Sequence, residues 1–147
     1  TYCVGKEPTQ EQKDVYDTAL GWLYDSINAV RAGTKTREIA SKWPSAKEAY
    51  GYEEEDQAAA NLWGHGLGLA QYDPPVISRI WSLDHPIEIK PGMVFALETQ
   101  HGKMYRWGVR IEEMLIVHED RTEIISNFPV GQITVVDPIP GYGNHVR

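Results

Sequence analysis

Apolar residues at Val15, Ala19, Trp22, Leu23, Ile27 and Val30 recur at the spacing of one face of an α-helix. Thr9 precedes this run with Gln12 three residues on, a capping-box pair that predicts the helix start. Gly33 predicts its end. A stripe of this kind is a face that packs on a sheet. Thr1-Tyr2-Cys3-Val4 reads as the end of a strand, closed by Gly5 and Pro8. A second helix is predicted to begin after Thr34 or Thr36 and to run through Ile39, Ala40 and Trp43 to Pro44. Ser45 to Asp56 reads as a third short helix, with Glu53-Glu54-Glu55-Asp56 as a solvated surface.

From Asn61 onward the pattern changes to short strands punctuated by glycine and proline, among them Gly64, Gly66, Gly68, Pro74, Pro75, Pro86, Pro91 and Gly92. Val94 to Leu97 reads as a buried strand that Glu98 ends. Trp107 to Ile111 and Met114 to His118 read as one long strand, or a strand with a bulge. Thr122 to Ser126 is a further strand, and Gln132 to Val136 another. Residues 137–147, rich in Pro and Gly, read as a wrapping tail. Helices first and strands second predict an α+β domain.

The chain has 147 residues, enough for one domain with a core of its own. Its net charge of −7 argues against nucleic acid and against an anionic membrane surface as partners. No apolar run reaches the roughly 18 residues that cross a bilayer. Cys3 is the single cysteine, so no internal disulfide is possible; this fits a cytoplasmic protein. The chain does not open with Met, which leads us to expect that Thr1 is not a native N-terminus.

Three segments carry potential chemistry: Gly64-His65-Gly66-Leu67-Gly68-Leu69, Phe95-Ala96-Leu97-Glu98, and Val109-Arg110-Ile111-Glu112-Glu113. An isolated histidine is most often structural. The glycines around His65 set it apart, because they allow close backbone approach and positive φ. Glu98 follows four apolar residues; a buried carboxylate needs a counter-charge or a metal. Period-2 alternation puts Arg110 and Glu112 on one side of their strand. One His and two Glu suit Mn, Fe, Co or Zn. The same residues also permit a metal-free ion pair of Arg110 with Glu112 or with Glu98. Trp63, Trp81 and Trp107 flank the motifs, either lining a pocket or filling a core.

In order and surroundings the three segments resemble the pita-bread metallopeptidases, the group of methionine aminopeptidase, aminopeptidase P and prolidase. The stretch Ile87 to Asp120 is similar to that family's signature: a Pro-Gly-Met turn, a strand carrying Glu, then Arg-Ile-Glu followed by an acidic residue. Gly5, Pro8-Thr9, Glu11-Gln12 and Tyr16 match the segment leading into the family's first long helix. The resemblance covers nearly the whole chain. It implies a pita-bread (creatinase/aminopeptidase) fold, with residues 1–147 as the C-terminal part of the catalytic domain, its helices packed on a curved antiparallel sheet. It further implies that His65, Glu98 and Glu112 are metal ligands. Glu112 would bridge two divalent ions, and Glu98 would also handle a proton of the water that attacks a peptide carbonyl.

The family has two more ligands, both Asp, on strands that precede the point matching Thr1-Tyr2. The resemblance therefore implies a missing N-terminal segment that completes the site, and a homodimer for the full-length protein. Proline-specific members carry substrate-contacting histidines at positions held here by Asn61 and Tyr72. These side chains donate hydrogen bonds to a developing oxyanion but do not titrate near neutral pH. Arg110 either balances the local carboxylates or holds a substrate carboxylate. The function implied is a metal-dependent hydrolase of the Xaa-Pro aminopeptidase or dipeptidase kind, acting on a small peptide. Two alternatives are a lyase on a small-molecule substrate, like the dimethylsulfoniopropionate lyase of this fold, and a non-enzymatic module of this fold that binds peptides or proteins.

Overall fold

A computed structural model describes residues 1–58 and 62–138. The elements in chain order are β1 (Tyr2–Val4), α1 (Gln10–Ala29), α2 (Thr36–Ala40), α3 (Ala46–Tyr50), a 3-10 turn (Glu55–Gln57), β2 (Leu62–Gly66), β3 (Asp73–Ser78), β4 (Val94–Lys103), β5 (Trp107–Val117), β6 (Thr122–Ile124) and β7 (Thr134–Val136). Five strands form an antiparallel sheet in the order β3-β2-β4-β5-β6, and β1 pairs parallel with β7.

The capping box starts α1 where expected: the Thr9 side chain accepts from the Gln12 N–H, and Gln12 accepts from the Thr9 N–H. Tyr16, Ala19, Leu23, Ser26 and Ile27 form the buried face of α1. That face lies on β4 and β5, against Phe95, Leu97, Val109, Ile111 and Leu115. Phe95, Leu97 and Leu115 are wholly buried, and each such side chain stabilises the fold by about 1.5–3 kcal/mol.

Several expectations change in detail. The second helix stops at Ala40, short of Trp43. The third is divided: Ser45 caps a single turn, Gly51 ends it at φ +74°, and the 3-10 turn follows. Within the acidic run Glu55 is not merely solvated, because its Oε1 accepts from Arg79 Nε at 2.9 Å. Pro74 and Pro75 lie inside β3 rather than in a turn. A strand at the sheet edge has one side without partners, so a missing N–H is tolerated there. Glu98 does not end its strand; β5 supplies partners for β4 down to Lys103 opposite Trp107. That ladder is one-to-one along its length, so β5 is continuous and has no bulge against β4. The strand predicted for Thr122 to Ser126 is β6, ending at Ile124, and the tail strand is β7. The wrapping tail falls largely on residues 139–147, and Asn61 also lies outside the described residues.

Candidate metal centre

Cross-strand register settles which side chains share a face. His65 on β2 is opposite Ala96 on β4, and Glu98 on β4 is opposite Glu112 on β5. Ala96 and Glu98 are two residues apart, so His65, Glu98 and Glu112 lie on one face of the sheet. The same alternation sends Glu113 to the other face, where it is buried under α1 with Tyr24 Oη 3.5 Å from its Oε1. Burial first, and the Glu113 carboxylate second, raise the Tyr24 pKa above its ordinary value.

The glycines around His65 serve close approach, not positive φ. Neither Gly64 nor Gly66 has a positive φ. A Cβ on Gly64 would lie 2.6 Å from Leu97 Cδ2 and 2.7 Å from the Ala96 carbonyl oxygen. One on Gly66 would lie 2.2 Å from the Pro74 oxygen. β2 is thus clasped between β3 and β4, which buries His65 to 5% exposure. Its Nδ1 is 3.2 Å from the Gly66 carbonyl oxygen. With the proton on Nδ1, that contact leaves the Nε2 lone pair free to accept. Tyr72 stands beside it, its ring edge-on to the imidazole with centroids 4.6 Å apart.

Glu98 is buried on β4, which is covered on both faces from Phe95 to Thr99; Glu112 is exposed. Of the two ion pairs open to Arg110, the one formed is with Glu98. Nε and Nη2 both donate to Glu98 Oε2, the former at 2.8 Å. The donor set therefore fits a divalent cation in chemistry and in facing. Among the described residues, however, no three His, Cys, Asp or Glu side chains are gathered tightly enough to hold one.

The outer edge of β5 bears on this. β6 covers it only from Leu115 to Val117. Farther down, Thr1 Oγ1 donates to the Arg110 carbonyl at 2.8 Å and accepts from the Arg110 N–H at 2.9 Å. Between these points no strand among the described residues lies along the outer edge at Glu112, whose inner side pairs with Glu98 on β4. A cavity of about 770 Å³ opens next to Arg110 and Gln100, walled by Tyr2, Tyr50, Tyr52 and Trp107. Of the three flanking tryptophans, Trp107 lines this cavity, Trp63 is core, stacked on Trp43, and Trp81 is half exposed. Gln100 belongs to the face by its two-residue spacing from Glu98, a signal present in the sequence. Thr1, 109 residues from Arg110, left none.

Residues 1–119 match Metallopeptidase family M24. The chain belongs to that family. Its pita-bread fold is shared by an X-Pro aminopeptidase from Thermotoga maritima MSB8, with a TM-score of 0.74 at 26% identity over 92% of this chain and 36% of that one. Among curated M24-like sequences, a probable dipeptidase PepE of Mycobacterium tuberculosis is 27% identical over 135 residues, 92% of this chain and 34% of the relative. An Xaa-Pro dipeptidase of Pyrococcus furiosus is 30% identical over 120 residues, 82% of this chain and 32% of the relative. The chain thus spans about a third of the length of the curated relatives it matches.

Proposed function

We propose that the whole protein to which this chain belongs is a metal-dependent peptidase that cleaves small peptides, of the Xaa-Pro dipeptidase or aminopeptidase class. The observation that carries this reading is the register. Glu98 faces Glu112 directly, and His65 lies two residues along, opposite Ala96, on the same face. His65, Glu98 and Glu112 would hold the metal, manganese by preference among Mn, Fe, Co and Zn, since two carboxylates suit a hard ion. A bound pair of divalent ions supplies Lewis acidity and an activated water for attack on a peptide carbonyl.

The chain's own groups have separate parts. Glu98, buried beside the reacting centre, accepts and returns the proton. Tyr72 presents a hydroxyl next to His65, where it can donate to a carbonyl oxygen acquiring charge. Asn61 is assigned the same kind of donation. Two upstream aspartates would complete the ligand set. In this reading a strand running back from Thr1 along the outer edge of β5 would set them beside Glu112. Homodimerisation and a cytoplasmic location belong to the same proposal. No described helix is long and apolar enough to cross a membrane. The named relatives are peptidases, which favours hydrolysis over the lyase and binding-module readings.

The test is Glu112→Ala in the full-length protein. Metal-dependent hydrolysis of Xaa-Pro dipeptides should be abolished while the far-ultraviolet circular dichroism stays unchanged. Wild-type turnover in that variant would remove Glu112 from the site.

A further inference from the structure

The face that carries His65, Glu98 and Glu112 does not end at the carboxylates. It continues along β4 and β5 through the pair Gln100–Arg110 to the pair Gly102–Gly108, each two residues farther towards the hairpin. At about 3.4 Å per residue these pairs lie about 7 Å and about 14 Å from Glu98–Glu112. In the other direction the face is taken by His65 and by the Tyr72 ring set against it. The open run therefore leads from the metal centre to the hairpin.

Two glycines oppose each other where that run ends, so no side chain rises from the sheet there and its surface is hollow. A Cβ on Gly102 would lie 2.5 Å from the Trp107 carbonyl oxygen, so the backbone itself keeps that position bare. A Cβ on Gly108 would meet only the His101 oxygen, at an ordinary 3.7 Å, so a side chain there fits and fills the hollow. The walls are built in advance. Tyr50 Oη donates to the Gln100 carbonyl oxygen at 2.8 Å, and Tyr52 Oη lies 3.7 Å from Met104 Sδ. With Tyr2 and Trp107 these tyrosines line the cavity of about 770 Å³, a size that takes a small ligand. Lys103 is paired with Glu11 and Arg110 with Glu98. Arg106, which also lines the cavity, forms no ion pair among the described residues.

We propose that this hollow is a distal substrate subsite: it holds a large apolar or aromatic third residue after the scissile bond, with Arg106 at that residue's terminal carboxylate. An extended peptide advances about 3.3–3.6 Å per residue. With the scissile carbonyl at Glu98–Glu112, the second to fourth residues past the bond lie over the cavity, and a dipeptide ends before it. The inference rests on the peptidase reading and deepens it, by selecting tetrapeptides over dipeptides among Xaa-Pro substrates. Tyrosine and tryptophan walls favour an aromatic side chain, and a guanidinium favours a carboxylate.

Hydrolysis of Ala-Pro, Ala-Pro-Ala-Ala and Ala-Pro-Ala-Phe by the Mn²⁺-loaded full-length protein tests this, with Gly108→Val and Tyr52→Ala beside the wild type. The wild type should cleave Ala-Pro-Ala-Phe with a kcat/KM at least about 10-fold above that for Ala-Pro-Ala-Ala. In Gly108→Val, with circular dichroism unchanged, that ratio should fall to about 1. Equal rates on the two tetrapeptides, cleavage of Ala-Pro alone, or a ratio kept in Gly108→Val overturns the subsite and leaves the peptidase reading standing. Cleavage of none of the three peptides overturns that reading and this inference with it. Should Gly108→Val fail to fold, Tyr52→Ala decides: a lowered ratio supports the subsite, and the wild-type ratio overturns it.

Discussion

Gly66→Ala would put a methyl carbon 2.2 Å from the Pro74 carbonyl oxygen and 2.7 Å from that of Asp73, where ordinary contact begins at 3.4 Å. Both obstacles are backbone atoms of β3, so no side-chain rotation relieves them. β2 and β3 must instead part by about 1 Å, which breaks the pairing of Gly66 with Asp73 and of His65 with Val76. Overpacking of this kind costs about 1–3 kcal/mol, and a backbone clash belongs at the upper end, about 3 kcal/mol. At this chain size each kcal/mol shifts the melting temperature by roughly 2–4 °C, so a loss of about 6–12 °C is expected. The control is Gly21→Ala on the exposed side of α1, where an added Cβ meets nothing within 4 Å. There alanine should stabilise by about 0.5–1 kcal/mol, because glycine is a poor helix former. Thermal melts of both variants beside the wild type, at one pH and concentration, give the comparison. A Gly66→Ala protein that melts with the wild type would refute the claim that close strand approach is why glycine stands next to His65.

Two further outcomes are open to measurement. Tyr72→Phe keeps the ring against His65 and deletes the hydroxyl; kcat for dipeptide hydrolysis should fall by about 100-fold with Mn²⁺ affinity unchanged, and unaltered kinetics would leave Tyr72 only a packing role. His101 lies between Trp22 and Tyr50, and burial lowers its pKa. The unfolded chain then takes up a proton that the folded chain resists, so stability falls as pH drops through about 6.5 towards the folded value. His101→Phe should flatten the loss of melting temperature between about pH 7.5 and pH 5.5, and equal slopes in the two proteins would exclude His101 as the cause.

Much of this was legible along the chain. The Thr9–Gln12 capping box and the spacing from Val15 to Val30 placed α1 because both are local: they depend on atoms one helical turn apart. Alternation along Val109 to Val117 put Arg110 and Glu112 on one side for the same reason. What failed, failed where partners come from afar. β3 was hidden because its prolines are permitted only by its edge position, which neighbouring residues do not encode. β4 runs past Glu98 because β5 continues beside it, not because Thr99 to Lys103 look like strand.

The sequence by itself determined the kinds of group available: an imidazole between glycines, two carboxylates at strand positions, and a guanidinium two residues from one of them. Tertiary structure alone decided the pairing of those groups. Register set Glu98 opposite Glu112 and His65 beside them, and the choice between the two ion pairs open to Arg110 fell to Glu98 Oε2. The physical reason is that a one-residue slip between strands moves every side chain to the other face, so the site exists only once segments dozens of residues apart have locked their hydrogen bonds together.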